Sequence, residues 1–297
     1  MTITAEAVDL NAEPVPAADA TSAARTWRAF RRNPLGLAAV GVLLLLIAVA
    51  VFAPLIKPFP KGAGQTVLAS PSGAHWFGTD NLGLDIFAET VWGARDSMII
   101  AVTASALAVV IGVAIAVVGA YFRRLDTLVG MFVDLCLSLP VLPLMILVAA
   151  LAGPSLHTIV LVIAFFSWPE VSRVVRSQAL TVVRLPYLDA AHVTGGGNWW
   201  IIRKHLVPAV APVIIVSVVL TASRAVLSAA GLAFLGLGDP NRWSWGQILY
   251  RSEQAGAMQS AWWTTLFPSL AILLLVMSAT LISIAYNDAR DPRTRKE

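Results

Sequence analysis

Charge is scarce in this sequence. Asp, Glu, Lys and Arg make up 13% of its 297 residues, against about 25% in soluble domains. Apolar residues make up 58%. That pairing excludes an ordinary soluble domain and points to a chain that crosses a bilayer. The formal net charge of +4 is too small to imply nucleic acid as a partner. Cysteine occurs once, at Cys136, so no intrachain disulfide can form. His75, His157, His192 and His205 are scattered without metal-ligand spacing. A metal set of His75, Asp80 and Asp85 is conceivable, but residues of these types in a turn-rich stretch more often cap turns. There is no G-x-x-x-x-G-K-[ST] run to cradle phosphates, and no serine, histidine and aspartate in a recognisable nucleophile context. The chain is therefore expected to bind no metal or cofactor and to hydrolyse no ATP. If it drives transport, the energy comes from a partner.

What is present is a series of apolar runs. They cover Leu35–Ile56, Ser97–Phe122, Leu128–Ala152, Leu156 to about Val175, Pro208 to about Leu232, and Trp262–Tyr286. The first, at about 22 residues and 1.5 Å per residue, reaches about 33 Å, enough for about 30 Å of hydrocarbon. It is too long for the apolar core of a signal peptide, and its acidic leader is wrong for one. Pro140 and Pro143 sit inside the third run, where proline kinks a helix and frees carbonyls for neighbours. The kink serves either a pathway or plain packing.

The fold expected is an all-α membrane protein with six transmembrane helices. Basic residues fall unequally around those runs. Four lie at Arg25–Arg32, two at Arg123 and Arg124, five between Arg173 and Lys204, and four from Arg290 to Lys296, fifteen of the 21 in all. The positive-inside rule then puts both termini and the 187–208 loop in the cytoplasm. Residues 1–24 are rich in alanine, acids and proline and are expected to be a disordered cytoplasmic tail. Residues 25–96 supply the first helix and an extracytoplasmic segment. Residues 97–287 form the main transmembrane domain, and 288–297 a basic cytoplasmic tail.

Arg224 is the one basic residue inside a run. It lies 16 residues beyond Pro208, about 24 Å along a helix, so snorkelling to the outer boundary is the leading reading. Lining a pathway comes next, and an ion pair with a partner subunit third.

Tyr187 to Pro208 is a polar, glycine-rich island between two runs. Ala190 and Ala191 are small enough for another protein to approach the backbone closely. Gly195, Gly196 and Gly197 can end a helix and turn the chain. Asp189 can cap a helix or meet a basic partner. Trp199, Trp200, Arg203 and Lys204 suit a headgroup boundary, and Pro208 suits the first turn of the next helix.

The spacing of Asp189-Ala190-Ala191, Gly195 and Pro208 resembles the "EAA" loop of ABC importer permeases. Asp replaces Glu, Val207 replaces Leu, and His205 stands where that family has Ile. Two further stretches are similar to the C-type permease of dipeptide and oligopeptide importers. One holds His75, Gly78, Thr79, Asp80, Gly83 and Asp85, with Leu84 in place of Arg. The other runs from Gly231 through Gly238 to Ser244, Trp245 and Gly246, with Ala229 where Glu is frequent. Together the likeness extends over roughly Asn33 to Arg293.

The resemblance implies a type I ABC importer permease fold in the cytoplasmic membrane of a prokaryote. It implies docking of Asp189, Ala190, Ala191, Gly195 and Pro208 on separate ATPase subunits, two or one fused, which carry the ATP and Mg. It further implies a second homologous permease, an extracytoplasmic solute-binding protein facing the loops of Asp80, Asp85, Trp243 and Trp245, and surrounding lipid. Peptides are the implied solute, with nickel, glutathione or sugars carried by relatives. A secondary transporter would show intramembrane acids and inverted repeats; neither is clear in the sequence. A membrane scaffold without a pathway is the remaining reading.

Overall fold

The computed structural model describes residues 27–290. The tail expected at 1–24 lies outside the described residues, as does 291–297 of the tail expected at 288–297; residues 288–290 instead continue the last helix. Helix α1 (Pro34–Ile56) begins where the Asn33 side chain accepts from the N–H groups of Leu35 and Gly36, with Pro34 in the first turn. Both features suit a helix start, since the first N–H groups lack intrahelical acceptors. Helix α2 (Ile86–Tyr121) is capped in the same manner by Asp85. Helices α3 (Arg123–Ser138), α4 (Val141–Ala152) and α5 (Leu156–Val183) follow. Next come the short α6 (Pro186–Val193) and α7 (Asn198–Ile201). A π-helical turn over Ile202–Leu206 joins α7 to α8 (Val207–Leu232). Helices α9 (Trp245–Gln254), α10 (Ala257–Ser260) and α11 (Trp263–Arg290) complete the described chain.

Among the described residues, five helical stretches are long and apolar enough to cross a membrane, and α3 with α4 makes a sixth crossing if the bent pair counts as one. Two expectations change here. The second span starts at Ile86 rather than Ser97, because Asp85 caps it there. The third is not one kinked helix: α3 and α4 meet at 79°. Leu139 and Pro140 are extended between them, since proline disfavours helical geometry in the residue before it and offers no N–H. Pro143 then falls in the first turn of α4, where proline is tolerated.

Helices α2 and α5 form the central pair. Ala104, Ala108, Gly112 and Ala116 are buried at four-residue spacing along α2, a stripe of small residues that lets backbones approach closely. A Cβ on Gly112 would sit 2.8 Å from the Trp168 carbonyl. Helix α1, by contrast, buries only Gly36, Ala39, Ala50 and Ala53 and leaves Leu44, Leu45, Val51 and Leu55 exposed, a face fit for lipid acyl chains. Successive crossings alternate in direction, so Pro34 and the last turns of α11 share one end, where Phe30 packs on Ala285 and Ala289.

Candidate functional site

Three places gather polar residues: the two ends of the bundle and one point between them. At the first end, α6 projects from a buried base. Leu188 (3% exposed), Ile201 and Leu206 pack with Val175, Ala179 and Val182 of α5 and with Ala116 and Val117 of α2. Above that base Asp189, Ala190 and Gly195 are exposed and Ala191 is half-buried. Val193 is 88% exposed and Trp199 is 72% exposed.

The helix closes on itself, with the N–H of Thr194 donating to Ala190 O, that of Gly195 to His192 O and that of Gly196 to Ala191 O. Gly195 has φ +88 and open space where a Cβ would be, whereas a Cβ on Gly196 would meet the Ala191 carbonyl at 2.6 Å. The first glycine serves the left-handed turn and the second the close approach. Asp189 does not cap a helix; it lies in the first turn of α6, where the macrodipole favours an acid. Pro208 occupies the first turn of α8, as its position suggested.

The Tyr121 hydroxyl, at the end of α2, holds the loop at two points. It lies 3.1 Å from His192 Nε2 and donates to Asn198 Oδ1 at 3.1 Å. Burial raises the Tyr187 phenol above its ordinary value. His205 sits in the π turn between Trp200 and Tyr187, its Nε2 buried and without a hydrogen-bond partner. Nearby, Arg176 binds the Asp126 carboxylate and also donates to the Asp126 carbonyl at 2.9 Å, and Arg173 pairs with Asp134 at 2.9 Å. These pairs tie α5 to α3.

The opposite end is a closed cap. Four indole N–H groups donate to backbone carbonyls: Trp92 to Lys57, Trp243 to Pro60, Trp245 to Thr90 and Trp263 to Thr79. Such partners let tryptophan bury its ring without stranding its donor. Trp243 and Trp245, expected in a loop, are 4% and 1% exposed. Asp80 Oδ1 accepts from the N–H groups of Leu82 and Leu84 at 2.8 and 2.7 Å. Asp85 caps α2 and pairs with Lys57 at 3.1 Å. Both acids therefore fix turns. Glu89, which sequence reasoning passed over, is 1% exposed. Ala229, where the resemblance favours Glu, is 5% exposed and packs with Ile100 and Leu232, so no charge there needs a partner.

Between the ends, Arg224 of α8 meets Glu170 of α5 in an ion pair. With the fourth apolar run ending at about Val175, Glu170 falls near the end of its span. The helix instead continues to Val183, and Glu170 lies midway along it. The guanidinium thus finds an acid in its own chain rather than reaching outward alone. A charge at a helix centre in hydrocarbon costs at least about 2.5–3.5 kcal/mol, and pairing offsets part of it. Glu170 is the only acid between Leu156 and Val183, and that was the signal which could have found it. Of the residues around the α3–α4 corner, Leu137, Val141 and Leu142 line the groove beside this pair, and Pro140 and Pro143 are not among its lining residues.

The family described as binding-protein-dependent transport system inner membrane component matches residues 108–296. The N-terminal TM domain of oligopeptide transport permease C matches residues 22–71. A dipeptide transport system permease protein of Alkalihalophilus pseudofirmus is 35% identical over 288 residues, 94% of either chain. One from Bacillus subtilis is 33% identical over 274 residues, covering 91% of this chain and 85% of that protein. A glutathione transport system permease protein of Pectobacterium atrosepticum is 32% identical over 274 residues, covering 91% and 90%.

Proposed function

This chain belongs to the family of binding-protein-dependent transport system inner membrane components, and from that premise we propose how its two ends and its centre divide the work of a peptide importer. It is a multi-pass permease subunit of an ABC importer that transports peptides across a prokaryotic cytoplasmic membrane. The α6 end faces the cytoplasm and docks in a groove of the ATPase subunits, which carry ATP and Mg. The tryptophan-rich cap faces outward, toward a solute-binding protein. A second permease completes the pathway. ATP-driven closure of the ATPase pair moves α6, and the permease pair turns between two states that open to opposite sides.

The observation that carries this division is the form of α6. Its base is buried and bonded, so it can transmit a push, while Asp189, Ala190 and Gly195 stay exposed with small side chains where a partner surface would fit. Dipeptides are the favoured solute, since the matching relatives in two organisms are dipeptide permeases by name. Glutathione, named for another relative, is the competitor to include in any uptake assay.

The test uses thiol labelling and cross-linking in the complete transporter. Cys136 is replaced by serine, and Ala190→Cys or Asn241→Cys is added. A membrane-impermeant thiol reagent should label Asn241→Cys in intact cells and Ala190→Cys only after permeabilisation. Ala190→Cys should also cross-link to a subunit carrying a P-loop. External labelling at Ala190→Cys, or import without any such cross-link, would remove the docking role.

A further inference from the structure

Helix α8 carries Ser217, Thr221, Arg224 and Ser228 at spacings of four, three and four residues, which align on one face of a helix. Glu170 faces that stripe from α5 and holds the Arg224 guanidinium. The pair stands between two grooves and lines both: one of about 350 Å³ that runs past Ser217 and Thr221 to Asn287, and one of about 620 Å³ that runs past Ser228 to Leu235. The larger volume lies within the range of about 300–1,000 Å³ common for small-ligand sites. The side chains of Arg224 and Glu170 remain 61% and 53% exposed. Charges midway along membrane-crossing helices face water or protein rather than acyl chains, so this exposed surface is turned away from lipid.

We propose that Glu170 and Arg224 recognise the two charged termini of a passing peptide, Arg224 taking the carboxylate and Glu170 the ammonium group. The inference rests on the peptide-importer reading above. A pair already neutralised within one chain presents no uncompensated charge to a partner subunit's side chain. A zwitterion differs, because it carries both signs and replaces both halves of the pair at once. The exchange trades one guanidinium–carboxylate contact for another, so binding stays weak. A site on a conduction path needs that property, since it must release what it binds. The planar guanidinium also suits a carboxylate in two-point geometry.

The experiment titrates the purified permease–ATPase complex, without its solute-binding protein, with Ala-Ala, N-acetyl-Ala-Ala and Ala-Ala amide by calorimetry. Omitting the binding protein removes its own preference for free termini. The wild-type complex should bind Ala-Ala about tenfold tighter than either blocked peptide, the scale of a lost charged hydrogen bond. Arg224→Gln should remove the preference for Ala-Ala over its amide. Glu170→Gln should remove the preference for Ala-Ala over the acetylated peptide. Arg224→Lys should keep part of the preference for a free carboxylate.

Equal weakening for all three peptides, or loss of assembly in both Gln variants, would make the pair structural and overturn the proposal. So would a wild-type complex indifferent to terminal blocking. A complex that imports peptides yet shows no discrimination at these residues overturns this inference alone. One that imports no peptide overturns the function it rests on.

Discussion

The two ends of the bundle read alike in sequence and behave oppositely in structure. Both are rich in glycine, tryptophan and charge. At the cap, Trp243, Trp245 and Trp263 are buried with their donors paired, and Asp80 and Asp85 hold turns. At the α6 end, Trp199 and Val193 stand exposed, and Gly195 has nothing within 4 Å of where a Cβ would be. One end turns its polar groups inward, and the other leaves Asp189, Gly195 and Trp199 exposed. A substitution at the cap should therefore act on folding, and one at α6 on coupling.

The largest effect on the folded protein should come from Trp245→Ala. The ring is 1% exposed, packs against Gly93 and donates to Thr90 O at 3.0 Å. Truncating a buried aromatic of this size costs about 3–5 kcal/mol. Thermal unfolding in detergent should show it as a marked fall in midpoint. A fall no larger than that of a surface variant would break the contrast between the ends.

Gly195→Val comes next, and it separates stability from function. A side chain at φ +88 adds strain of about 1–2 kcal/mol, but no neighbour is displaced. The variant should insert and melt close to wild type while peptide-driven ATPase activity falls at least about tenfold, the expectation for a loop that meets its partner badly. Gly195→Asn, which tolerates the left-handed region, should retain most activity. Full coupling in Gly195→Val would mean that the loop tip is not a contact.

Tyr121→Phe should have the smallest effect. It removes one hydroxyl and two contacts from the loop base, worth about 0.5–1.5 kcal/mol each when formed and less at an exposed site. The readout is faster limited proteolysis between Tyr187 and Asn198 with an unchanged global midpoint. Unchanged proteolysis would show that the apolar base alone holds α6.

Much of this was legible beforehand. The apolar runs gave the crossings, because hydrocarbon thickness sets how long such a run must be. The glycine-ended helix at Thr194, Pro208 at the start of α8, and the turn-capping roles of Asp80 and Asp85 followed from local chemistry. The α3–α4 corner did not. Leu128–Ala152 reads as one apolar run, and only the extended backbone at Leu139 and Pro140 divides it. Tyr121 was equally hidden, since its partners lie about 70 residues away in sequence.

The sequence by itself determined that the chain crosses a membrane, where most crossings lie, and which loop has small residues on offer, since each of these depends on composition within one short segment. Tertiary structure decided which charges meet. Glu170 and Arg224 are 54 residues apart, and nothing local to either announces the other. Only the packing of α5 beside α8 sets the register that brings them together, because a charge within a crossing must find its counterpart on a neighbouring helix.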